Sequence, residues 1–124
     1  MMKLRILNSS IRLRLAQAEA QALAQEGMVR AETVFGLDRI FSYSLLSHPD
    51  ITQPTAHYEE DGIQVRLPSE MVHQWAESDQ ISIRSSQKVG DNSLRILVEK
   101  DFKCLTERPS EDERDLFPNP RERH

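Results

Sequence analysis

The chain has 124 residues, 38% of them hydrophobic and 29% charged, a globular composition at a length that suits a single domain over residues 1–124. Its formal net charge of −4 excludes a global positive field that would draw nucleic acid. A single cysteine excludes an internal disulfide and fits a reducing compartment, and no run nears the roughly 20 apolar residues of a membrane span, so the expectation is a soluble cytoplasmic protein without a membrane partner.

In chain order, "KLRIL" (3–7) and "IRLRL" (11–15) alternate apolar and basic residues. Strict alternation predicts half-buried strands, with Ile11, Leu13 and Leu15 facing inward and Arg12 and Arg14 outward. Asn8-Ser9-Ser10 is the turn or bulge between them. "AQAEAQALAQEG" (16–27) is rich in helix formers, and Gly27 stands where a helix ends. A Ser or Thr cap is missing at its start, where Ala16 stands. "VRAETVFG" and "RIFSYSLL" follow as strands around a turn at Gly36-Leu37-Asp38.

The pattern then recurs 52 residues on. "IQVRL" (63–67) stands where "IRLRL" stood, so Ile11, Leu13, Arg14 and Leu15 fall on Ile63, Val65, Arg66 and Leu67. Asp61-Gly62 is a hairpin signal leading into it. "PSEMVHQWAESD" is a second helix, with Leu23 and Ala24 falling on Trp75 and Ala76 and Val29 on Ile81. "ISIRSSQ" and "SLRILVE" are two further strands separated by Gly90-Asp91-Asn92. The fold class expected is α+β. Two strand-helix-strand-strand units, an internal duplication, form one curled, mainly antiparallel sheet or small barrel with two helices.

Familiar chemistry is scarce. The four glycines are scattered and make no phosphate loop, and neither a C-x-x-C pair nor H-E-x-x-H occurs, so no cofactor or zinc site is expected. Glu111, Asp112, Glu113 and Asp115 lack the spacing of a calcium loop. Cys104, the one thiol, has no base beside it in sequence and reads as a packed residue. Arg12, Arg14, Arg66, Arg84 and Arg95 all sit on strands opposite the apolar face. Gathered by a sheet, they would make a basic stripe suited to carboxylate or phosphate, and otherwise an ordinary solvated face. Seven aromatics, with Phe35, Phe41, Tyr43 and Trp75 reading as core, leave no stacking platform for nucleic acid.

The opening "MKLRILNSSIRLRL", the central "DGIQVRLP" and the closing "LVEKDFKCL…ED..D.FPNP" resemble a family of small bacterial conserved proteins that is a domain of unknown function. The resemblance covers nearly the whole chain. It implies a bacterial, cytoplasmic, single-domain protein and carries over no catalytic residue.

The resulting expectation is a non-enzymatic module that binds a small anionic ligand or a protein partner, as a homodimer in one version. The alternative is a small enzyme whose anionic substrate is held by strand arginines near Cys104. Candidate binding residues are Arg12, Arg14, Arg66, Asp101, Lys103, Cys104 and Arg108. Residues 101–124 are expected to form an ordered tail, ended as regular structure by Pro109 and anchored by Phe117.

Overall fold

A computed structural model describes residues 1–102 of the chain. The expected tail from residue 103 on, with Lys103, Cys104, Arg108 and Phe117, lies outside the described residues. The elements run β1 (Lys3–Leu7), β2 (Ser10–Leu15), α1 (Gln17–Glu26), β3 (Met28–Gly36), β4 (Arg39–His48), β5 (Thr55–Glu59), β6 (Gly62–Pro68), α2 (Ser69–Ala76), β7 (Ser82–Val89) and β8 (Asn92–Lys100).

The class is α+β, but the strands form neither one curled sheet nor a barrel. They make two four-stranded mixed sheets, ordered β1-β2-β8-β7 and β3-β4-β6-β5. Each sheet takes one hairpin from each half of the chain. The two hairpins of a sheet join along a parallel seam, β2 with β8 and β4 with β6, while every hairpin is antiparallel. Local alternation predicts each strand but carries no information about this exchange. It is decided by which apolar faces meet.

The two halves therefore correspond element by element. Ser42 donates its N–H to Asp61 at 2.8 Å, and Arg95 donates to Ser9 at 2.8 Å. Ser47 donates to Gly27 at 2.9 Å, and Lys100 donates to Ile81 at 3.0 Å. Each bond in the first half has its counterpart in the second. The register sets Val29 against Leu45 and Ile83 against Val98, so Val29 corresponds to Ile83 rather than to Ile81. The longer link after α2 accounts for the shift.

The core is the inward row of both sheets closed by both helices. Ile11, Leu13, Leu15, Ile83, Ile96 and Val98 come from one sheet, and Leu45, Ala56, Val65 and Leu67 from the other. Ala20 and Leu23 of α1 and Val72 and Trp75 of α2 complete it. Trp75 is fully buried, and its indole N–H is satisfied by the Ile81 carbonyl at 2.8 Å, as burial of that donor demands. Helix α1 starts at Ala16 without a side-chain cap, and the Glu19 carboxylate accepts the Ala16 N–H instead at 2.8 Å. Gly27 closes it at φ +88° with a bond to the Leu23 carbonyl, the left-handed ending that glycine takes without a Cβ penalty.

Two aromatics depart from expectation: Phe41 is only half-buried and stands outside the core cluster. Phe35 is not core but 75% exposed, because the β3–β4 register shifts between Val34 and Gly36 and carries it past the last core layer. Among the described residues no helix is long and apolar enough to cross a membrane.

Candidate functional site

The outer face of the β1-β2-β8-β7 sheet is built from the residues that alternate with the core. Strand register arranges them in rows. Lys3, Arg14, Glu99 and Ser82 form the first, Arg5, Arg12, Leu97 and Arg84 the second, and Leu7, Ser10, Arg95 and Ser86 the third. Neighbouring strands lie roughly 5 Å apart, so side chains within a row are in reach of one another. Glu99 is the only carboxylate in these rows, against six cations.

Glu99 is clamped by two arginines. Arg12 donates from Nε at 2.7 Å and approaches with Nη2 at 2.6 Å, and Arg14 donates from Nε at 2.8 Å, all to Oε1 of Glu99. Burial pushes the Glu99 carboxyl up, but the hydrogen bonds from Arg14 and Arg12, together with their charges, outweigh it and hold the pKa below the usual carboxylate range. The clamp fixes one end of the face and commits part of Arg12 and Arg14.

Beyond the clamp lies a pocket of about 660 Å³ lined by Arg5, Leu7, Arg12, Arg84, Arg95 and Leu97 among others, with no acidic residue in its wall. That volume falls within the range of small-ligand sites, about 300–1,000 Å³. Arg5, Arg84 and Arg95 make no ion pair or side-chain hydrogen bond with any described residue. Planar guanidiniums with free donors are matched to the paired oxygens of carboxylate and phosphate.

The candidate residues named from sequence are thus only partly assembled. Arg12 is in the pocket wall, and Arg14 is on the same face in the Glu99 clamp. Arg66 is on the other sheet, 4.0 Å from Glu59 and hydrogen-bonded to Gln64. Asp101 pairs with Lys3 at 2.9 Å at the edge of the basic face. Lys103, Cys104 and Arg108 lie outside the described residues. Arg84 and Arg95 join Arg12, as the stripe requires, and Arg5 was missed. Its signal was the same alternation in "KLRIL", which places Lys3 and Arg5 on one face.

The corresponding pocket of the other sheet has different chemistry. It is lined by Arg30, Ser42, Glu59, Glu60, Asp61 and Gln64 among others. Where the first sheet has Arg12 and Arg95, this one has Gln64 and Ser42. No group of three metal-ligating side chains occurs among the described residues.

No curated protein and no solved structure matches the chain. The model of the Family of unknown function (DUF7009) matches residues 2–121, both sheets and both helices included, and the chain belongs to that family.

Proposed function

We propose that the protein is a non-enzymatic binding module whose outer β1-β2-β8-β7 face takes a small anionic ligand. One observation carries this reading: three guanidiniums without partners among the described residues converge on one acid-free pocket. An isolated surface arginine needs no explanation, but three around a concavity with Leu7 and Leu97 in its wall form a site that is both charged and shaped. The ligand is one with at least two anionic groups, since three separated guanidiniums offer more charge than a single carboxylate neutralises. A soluble cytoplasmic setting suits such a ligand.

The test is calorimetric titration of the full chain with inorganic pyrophosphate and, separately, with citrate. Binding that Arg84→Ala and Arg95→Ala each weaken by roughly tenfold or more is the expected result. Absence of heat with both anions, or binding indifferent to both substitutions, overturns the reading.

We also infer that the two halves descend from one duplicated strand-strand-helix-strand-strand unit. The paired hydrogen bonds and the matched helix positions Leu23 and Trp75 support it.

A further inference from the structure

A sheet with open edges must prevent other strands from adding to them. The four edges here are β1, β7, β3 and β5, and three are guarded. β1 is five residues long and carries Lys3 and Arg5. β7 carries Arg84 and Lys88 on one face. β5 is also five residues long, and the Gln87 side-chain amide occupies its middle, accepting from the Ala56 N–H at 2.7 Å and donating to the Ala56 carbonyl at 3.1 Å.

Among the described residues β3 is neither short, nor charged with one sign, nor crossed by a side chain from another strand. It is nine residues long, and Met28 and Val34 are 44% and 66% exposed. The bond from Ser47 to the Gly27 carbonyl sets the ladder's phase. Val29, Ala31 and Thr33 turn their backbone groups to β4, whereas Met28, Arg30, Glu32 and Val34 turn theirs to the open edge. The register shift after Val34 ends the regular run, leaving seven residues, Met28 to Val34, centred on Ala31.

That segment is complementary to itself. Laid antiparallel on a second copy about Ala31, Arg30 meets the other Glu32, Glu32 meets the other Arg30, and Met28 meets the other Val34. All four are residues whose backbone groups face the edge, so each pair can exchange N–H···O=C bonds. Moving the centre to Arg30 or to Glu32 sets like charges against each other, so the charges select one register. The same operation on β7 about Ser85 sets Arg84 and Lys88 against serines and brings four cations together with no acid.

We propose that β3 is a homodimerisation edge, pairing with β3 of a second copy in this register to make one continuous eight-stranded sheet. The occupant is a second copy because the strand's own charge order is its complement. The interface lies on the other sheet from the arginine pocket and does not depend on it.

Sedimentation velocity on the full chain over a range of concentrations tests this. The wild-type chain is expected to dimerise. Arg30→Glu gives an edge of two carboxylates and Glu32→Arg an edge of two guanidiniums, so each variant alone self-associates at least roughly tenfold more weakly. An equimolar mixture of the two variants regains the dimer, because each edge is then complementary to the other. Circular dichroism melts of both variants, altered only at exposed sites, verify that they are folded. A wild-type chain that stays monomeric at millimolar concentration overturns the proposal. A dimer indifferent to both reversals, or a mixture that fails to recover it, does so equally.

Discussion

The two sheets share one topology and differ in what their outer faces and edges carry. On the β1-β2-β8-β7 sheet, Arg5, Arg12, Arg84 and Arg95 surround a pocket without acids. On the outer face of the β3-β4-β6-β5 sheet, the two arginines have carboxylates beside them, Arg30 with Glu32 at 2.7 Å and Arg66 with Glu59 at 4.0 Å. The edge contrast is parallel: Arg84 and Lys88 repel a strand approaching β7, whereas Arg30 and Glu32 on β3 invite one. Equivalent backbone positions thus serve opposite ends. Inward residues must stay apolar in both halves to share a core, while outward residues are free to diverge.

The largest effects should come from the shared interior. Trp75→Ala should destabilise by roughly 3–5 kcal/mol, and its counterpart Leu23→Ala by roughly 2–5 kcal/mol, both in denaturant unfolding followed by circular dichroism. Both side chains are fully buried. A loss below 1 kcal/mol at either, by the scale of ordinary surface substitutions, would mean the halves do not share their core equally.

Gly62 and Ser10 sharpen the comparison at one position. They open corresponding strands, β6 and β2, yet Gly62 sits at φ +154° with the Ser42 backbone carbonyl where a Cβ would go. Gly62→Ala should cost at least about 1–3 kcal/mol. Ser10→Ala, which removes only an exposed hydroxyl bond to the Leu7 carbonyl, should cost about 0.5 kcal/mol or less. Equal melting temperatures for the two variants would refute the distinction.

Glu99 offers a change with opposite signs. Its carboxyl is more acidic in the folded chain, so its contribution to stability is present above the unfolded value, near 4.5, and is lost as pH falls through the lower folded value. Glu99→Gln should cost about 1 kcal/mol at neutral pH and flatten that acid limb in urea midpoints measured against pH. It should also release Arg12 and tighten pyrophosphate binding severalfold. Weaker binding would show that the clamp positions Arg12 for the ligand. The smallest effect on the arginine pocket should be that of Arg30→Ala, the counterpart of Arg84→Ala on the other sheet, which should leave pyrophosphate affinity unchanged.

Much of this was legible in the residues. The alternation of "IRLRL" and "IQVRL" located β2 and β6 and their buried rows, and the recurrence of strand, helix and paired strands located the two halves. Phe35 misled, since an aromatic in a strand reads as core until the register shift beside it is seen. Arg66 misled for a related reason. It is the sequence counterpart of Arg14, yet the exchange of hairpins puts the two on different sheets.

By itself, the sequence determined the elements other than β5, for which it offered only the Asp61-Gly62 turn, the inward and outward side of the strands it located, and the basic character of outward positions in the first and last hairpins. These are local matters, governed by the period of a strand or helix and by turn chemistry. Only the tertiary structure decided that the last hairpin joins the first, which brings Arg84 and Arg95 to Arg5 and Arg12 across about 70–90 residues of sequence. It also decided that β3 is left at an edge. Both depend on which strand lies beside which, a choice made by burying two sheets and two helices around one core, and no short stretch of residues specifies it.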